Sequence, residues 1–250
     1  MGMKKLLSVC MLAACLNGSV ALAADNYKVG STPTGMPFTY LDATSGKIAG
    51  VMVDVIDAVS KKAGFTYEIS PMVFSALIGS LQSKRIDIIS AAMIKTDERA
   101  KIIDYTNTIF SYGEGLVVPD SDKTQYTSLE QLKDKTVGIQ IGTAYIAPAQ
   151  KAGVTDVKLY DASTDMMRDL EKGRVQAVLV DQPIAAAYLS NNMFKNVRLV
   201  ESYKPVVVRD LGLITRKGET ELQQKLNTAI DALKADGTIA SILKKWKLEK

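Results

Sequence analysis

From Tyr27 onward the chain alternates short apolar runs with stretches of helical spacing. Tyr27-Lys28-Val29-Gly30 reads as a strand, and Phe38-Thr39-Tyr40 and Ile48-Ala49 flank an Asp-Ala-Thr-Ser-Gly turn as a hairpin. Met52, Val55, Ile56, Val59 and Ala63 recur at helical spacing, and Gly64 closes that helix. A strand follows over Thr66 to Ile69, a helix over Phe74 to Lys84, and a buried strand at Ile86-Asp87-Ile88-Ile89. The pattern restarts at Gly115-Leu116-Val117-Val118. Ser128 opens a short helix, Thr136 to Ile139 is a strand, and Thr143 starts a helix. Val157 to Leu159, a helix from Ser163 to Lys172, the strand Val175 to Val180 and a helix from Pro183 to Leu189 complete the middle of the chain. After Val206 to Val208 and Leu211 to Thr215 come an amphipathic helix, Glu219 to Ala235, and a last one holding Ile239, Ile242, Leu243 and Trp246. This succession predicts an α/β protein with a parallel-type sheet covered by helices.

One stretch echoes another. Residues 80–92, SLQSKRIDIISAA, align without gaps on residues 169–181, DLEKGRVQAVLVD. Each reads as a helix end, a tight basic turn and a buried strand. Any two βαβ units share some of this; the other reading is two similar lobes. Ligands of open α/β sheets bind beyond the carboxyl ends of strands. In the first copy that end carries Ala91-Ala92, leading to Arg99, and in the second it carries Asp181.

The first 24 residues read differently. Lys4 and Lys5 precede an apolar run from Leu6 to Leu16, Asn17-Gly18-Ser19 breaks it, and Ala21-Leu22-Ala23 offers a small-residue cleavage site. This is the order of a secretory leader over residues 1–23, and the run is too short for a membrane span, which needs ~20 residues. Leu12-Ala13-Ala14-Cys15 also fits a lipidation signal, with Cys15 as the anchored residue. Either way the protein is expected in the periplasm, as a soluble body.

Composition narrows the chemistry. The 250 residues carry a formal charge of +4, and two of the basic residues, Lys4 and Lys5, lie in the leader. So small and dispersed an excess does not point to nucleic acid. There is no histidine, which removes imidazole bases and the commonest metal ligand. The two cysteines, Cys10 and Cys15, sit in the leader, leaving the body without a thiol nucleophile or disulfide. Binding needs no proton transfer and fits this composition; no cofactor or metal is expected, and the chain is expected to be a monomer.

The motifs KVGSTPTGMPFTY, GKIAGVMVDVIDAVSKKAGF, FSALIGSLQSKRIDIISAAMIKTDERAKIIDYT, SLEQLKDKTVGIQIGTA, GRVQAVLVDQPIAAAYL and LNTAIDALKADGTIASILKKW run through the mature chain in that order. In this order and spacing the chain resembles the bacterial periplasmic solute-binding proteins of polar amino-acid ABC transporters. The resemblance implies a two-lobed periplasmic-binding-protein fold of type II, with two crossover hinge strands near Ser111–Leu116 and Val206–Gly212. Lobe one would be residues 25–111 plus 212–250, and lobe two 116–206. A small zwitterion, an amino acid or derivative, would be buried between them on hinge closure and passed to an inner-membrane ABC permease.

The resemblance also assigns roles. Arg99 matches the arginine that clamps the ligand carboxylate, where the residues alone also allow a solvated helix Arg paired with Asp97 or Asp104. Asp181 matches the acid that takes the α-amino group, although an Asp before Pro183 also reads as a helix cap. Phe74 would stack on the ligand, or belong to the core. Ala92 and Thr143 complete the main set, Thr143 at a helix start suited to an anion or simply as an N-cap. Thr32, Met36, Ile94, Glu114, Gln140 and Ala144 are secondary candidates. Four positions depart from the family. Gly35 stands where an aromatic is common, with Met36 a partial replacement, and Ile94 and Ala144 stand where hydroxyls are common. Thr32 stands where binders of basic amino acids carry an acid, and Glu114 in the first hinge is a candidate replacement for it. Two alternatives stay open: an enzyme on the same fold, such as a periplasmic dehydratase, and a sensory subunit presenting its ligand to a membrane receptor.

Overall fold

The computed structural model describes residues 24–248. The leader, with Cys10 and Cys15, lies outside the described residues. Among those described, no helix is long and apolar enough to cross a membrane.

Two sheets organise the chain. The first has the strand order Thr66–Pro71, Asn26–Ser31, Ile88–Ile89, Ile214–Arg216, Ile103–Tyr105. The second runs Val157–Tyr160, Val137–Gln140, Ala177–Asp181, Phe110–Pro119, Val197–Leu199. Each is the centre of one lobe. Neither is purely parallel, which corrects the expectation from the sequence. Ile214–Arg216 runs antiparallel to both of its neighbours, and Phe110–Pro119 antiparallel to Ala177–Asp181 and Val197–Leu199. Both strands adjoin the crossings between the lobes: Phe110–Pro119 carries the chain into the second sheet, and Ile214–Arg216 follows its return to the first.

The two crossings lie side by side. Val208–Leu211 pairs antiparallel with the start of the long strand, Val208 against Gly113 and Leu211 against Phe110. Glu114, buried at 1% exposure, fastens the incoming segment. One carboxylate oxygen accepts from the Tyr203 hydroxyl (2.9 Å) and the Val206 amide (2.7 Å), the other from the Val207 amide (3.0 Å).

The helices form where the apolar spacing places them. Val51–Ala63 buries Val51, Met52, Val55, Ile56 and Val59 and ends at Gly64, whose φ of 72° gives the left-handed cap. At its start Gly50 has φ 130°, and a Cβ there would lie 2.3 Å from the Phe38 carbonyl oxygen, so only glycine fits. Thr220–Ala235 packs beside Val51–Ala63 and presents Leu222, Leu226, Ala229, Ile230 and Leu233 to the core.

The internal echo is structural. Lys84 and Gly173, matched in the alignment, both take positive φ, at 59° and 69°. In both copies the turn is closed in the same way. Arg85 N–H donates to Ser80 O and Arg174 N–H to Asp169 O; Lys84 N–H donates to Leu81 O and Gly173 N–H to Leu170 O. Each turn redirects a helix into a buried strand, and both strands end at the space between the lobes.

Candidate functional site

That space is lined by residues at the carboxyl ends of the strands and the loops after them. Thr32, Phe74, Ala92, Ile94, Arg99, Gln140, Thr143, Ala144 and Asp181 all border one cavity. Thus all five main candidates and four of the six secondary ones are brought together. Met36 and Glu114 are not among the lining residues.

Arg99 is buried at 8% exposure in the short helix Asp97–Ala100, which Thr96 caps by accepting from the Arg99 amide at 3.2 Å. The alternative of a helix-surface ion pair is not what forms: Asp104 is paired with Lys217 at 2.7 Å. Instead Arg99 Nη1 donates to the Ile94 carbonyl at 2.6 Å and Nη2 to the Gly142 carbonyl at 2.7 Å. Gly142 belongs to the other lobe, so the guanidinium spans the cleft. Each of these nitrogens carries a second N–H, and with Nε–H these leave donors for an anion. Phe74 lies with its ring centre 5.8 Å from the Arg99 guanidinium carbon.

Asp181 closes the strand Ala177–Asp181 and stands at the N-cap position of Gln182–Ser190, yet its side chain makes no capping bond. The carboxylate is turned to two phenols instead: Tyr112 donates to Oδ2 at 2.9 Å, and Tyr145 donates to Oδ1. Burial pushes its pKa up to about 6, against the pull of Tyr145, Tyr112 and Arg99, with the negative charge of Glu114 adding to the rise. Burial also drives both phenols well above their ordinary value.

Several expectations are corrected. Thr143 does not start a helix; the helix is Ile146–Lys151. Gly142 has φ 82°, and the Thr143 amide and hydroxyl both fold back on Gln140 O, at 3.3 and 2.8 Å, making a turn instead. Glu114 cannot serve as an added countercharge at the cavity wall, because its oxygens are taken by the crossover segment. Met36 does not stand in for the missing aromatic. Ile184 fills that side: a Cβ on Gly35 would sit 3.5 Å from Ile184 Cδ1 and 3.7 Å from the Thr32 hydroxyl.

Sequence reasoning missed Tyr112 and Tyr145, which hold Asp181, and Phe38, which stacks on Tyr112 with ring centres 5.1 Å apart. It also missed Thr39, whose hydroxyl lies 2.9 Å from that of Thr32. A tyrosine two residues before Glu114 on the crossover strand was the available signal, since period-two alternation puts both on one face. At the rim, the Thr34 carbonyl accepts from both the Ser163 and Tyr188 hydroxyls of the other lobe, which are themselves 2.7 Å apart. Among the described residues, no group of three or more His, Cys, Asp or Glu is placed to hold a metal ion.

Phe74 is half-buried and faces the cavity. Phe74→Ala is expected to weaken solute binding about tenfold, the scale of a lost stacking or cation–π contact, and to leave the fold intact. Calorimetric titration and apo melting curves check this; a fall of ~3–5 kcal/mol in apo stability would show a core role instead.

Residues 27–249 match the family model described as bacterial extracellular solute-binding proteins, family 3. The "ABC transporter arginine-binding protein 1" of Escherichia coli (strain K12) is 30% identical over 247 residues, covering 98% of this chain and 99% of its own. The "L-cystine-binding protein TcyJ" of the same organism is 29% identical over 219 residues, 87% of this chain and 81% of its own. Among solved structures, "an ancestral arginine-binding protein bound to glutamine" superimposes with a TM-score of 0.83 at 35% identity, covering 90% of this chain and 98% of that one. With a two-lobed fold, a lined cleft and a family match over nearly the whole described chain, the protein belongs to the family 3 bacterial extracellular solute-binding proteins.

Proposed function

We propose that the protein captures an amino acid or a related small zwitterion between its lobes and delivers it to an inner-membrane ABC permease from the periplasm. The observation that carries this is a pair of opposite charges on opposite walls of one cavity, Arg99 and Asp181. A zwitterion's carboxylate meets the free N–H groups of Arg99, and its ammonium meets Asp181. Phe74 flanks the Arg99 end, and Thr32, Gln140, Thr143 and the carbonyl of Ala92 supply polar contacts. The relatives named for amino acids support the class. We place the lobe boundaries at the paired crossover strands, with residues 25–111 and 212–250 on one side and 116–206 on the other. These strands act as the hinge.

Asp181 is the one acid among the lining residues. The ammonium occupies it, and a second cation on the solute finds hydroxyls, an amide and aromatic faces but no carboxylate. L-Glutamine and other neutral amino acids are therefore expected to bind tighter than L-arginine or L-lysine. A thermal-shift screen followed by calorimetric titration tests both levels. A solute at 100 times its Kd stabilises by ~2.7 kcal/mol, a rise of about 5–10 °C for a chain of this size. Tight arginine binding with no neutral competitor would overturn the preference, and no shift with any amino acid would overturn the capture reading.

A further inference from the structure

One hydroxyl proton in the cavity faces two acceptors. Tyr112 Oη lies 2.8 Å from the Ala92 carbonyl oxygen and 2.9 Å from Asp181 Oδ2. A phenol has a single proton to donate. When Asp181 is ionised, that proton goes to one acceptor and the other is left without it, at a buried place where an unmet acceptor is costly. Tyr145 does not resolve the conflict, because its hydroxyl is spent on Asp181 Oδ1.

Two occupants resolve it. A proton on Asp181 Oδ2 donates to Tyr112 Oη, and Tyr112 then donates to the Ala92 carbonyl, so every group is paired. An ammonium does the same work from outside: its N–H groups reach the Ala92 carbonyl and the Asp181 carboxylate, and Tyr112 turns its proton to Asp181. Proton and ammonium are thus alternatives at one place.

We propose that Asp181 carries a proton in the solute-free cavity on the acid side of neutrality, and that an entering ammonium group displaces this proton to solvent. This rests on reading the cavity as an amino-acid site. The balance is simple: the carboxylic acid and the ammonium become a carboxylate–ammonium pair, and one proton leaves to buffer.

The groups facing Asp181 from each packed element agree with this. Tyr112 and Glu114 come from the crossover strand, Tyr145 from the loop before Ile146–Lys151, Arg99 from the other lobe and Tyr188 from the helix that follows. Burial and Glu114 favour the neutral acid; the two phenols hydrogen-bonded to it and Arg99 favour the charge. Their balance leaves the carboxyl near 6.

The decisive test needs no solute. Aspartate carboxyl carbons labelled with carbon-13 are titrated by NMR, and the Asp181 signal is assigned by its loss in Asp181→Asn. A midpoint near 6 is expected, and a midpoint near 4 overturns the proposal whichever solute binds. The linked test is calorimetry with L-glutamine in buffers of low and high ionisation heat. About 0.9 proton should be released per solute at pH 5 and almost none at pH 8, with Kd about tenfold weaker at pH 5 than at pH 7.5. Binding without proton release at pH 5 overturns the exchange and leaves the amino-acid reading standing. Failure of every amino acid to bind overturns that reading, while the carboxyl titration still decides the proton.

Discussion

Asp181→Asn is expected to abolish useful solute binding and, at the same time, to make the solute-free protein more stable at pH 7.5. The first effect follows from charge. The ammonium loses its buried counter-ion, and removing one partner of a buried ion pair costs ~3–5 kcal/mol, at least about a hundredfold in Kd. The second follows from the raised pKa. A carboxyl near 6 when folded, against the ordinary 3.8, binds more protons in the native than in the unfolded state between those values. Its contribution to stability is therefore present at low pH, is lost as pH rises from about 4 to 6, and stays lost above. At pH 7.5 the gap corresponds to ~3 kcal/mol of penalty. Asparagine keeps the shape and escapes the penalty: its amide can donate to Tyr112, Tyr112 to Ala92, and Tyr145 to the amide oxygen. Melting curves of the solute-free proteins check this, with the variant ahead at pH 7.5 and its lead nearly gone at pH 4. A variant that melts below wild type at pH 7.5 would show that the carboxylate contributes to the empty fold.

Arg99→Lys should be almost as damaging to binding. An ammonium is a point charge with three donors on a flexible stem, while the guanidinium is a planar fork. Here the fork does two jobs, holding the Ile94 and Gly142 carbonyls and presenting its remaining N–H groups to the cavity. Lysine cannot reach both carbonyls and a carboxylate together. It forfeits two charge-assisted hydrogen bonds of ~1.5–3 kcal/mol each, one of them between lobes. A loss of at least about a hundredfold in Kd is expected by calorimetry. Small-angle scattering should show compaction on adding solute in wild type and little in the variant at the same solute concentration. Wild-type affinity and compaction in this variant would remove Arg99 from the clamp.

Much of this arrangement is legible in the sequence. The strand and helix runs, the hairpin around residue 45 and the cap at Gly64 follow from periodicity and turn chemistry, both local properties. The echo between residues 80–92 and 169–181 placed Ala92 and Asp181 at equivalent strand ends, and the fold brings these two residues to one hydroxyl, that of Tyr112. What was not legible depends on long-range partners. The direction of a strand such as Ile214–Arg216 is decided by which sheet the returning chain enters, and nothing in its three residues encodes that. Glu114 was available on paper as a ligand group, but the Val206 and Val207 amides claim it from about ninety residues away. Tyr145 was hidden because the turn at Gly142 delays the helix by three residues and so changes which side chains face the cavity.

The pair of hydrogen bonds accepted by the Thr34 carbonyl bears on timing. Ser163 and Tyr188 hold it directly from the other lobe, so part of what holds the lobes together is the same for every occupant. Opening must break these contacts whether the cavity holds a well-fitted molecule or a poor one. Residence times of different solutes then share a common factor, and poorly fitted solutes leave more slowly than their own contacts would dictate. A transport partner that pulled Thr34 away from Ser163 and Tyr188 would shorten all those residence times together, speeding discharge without telling one cargo from another.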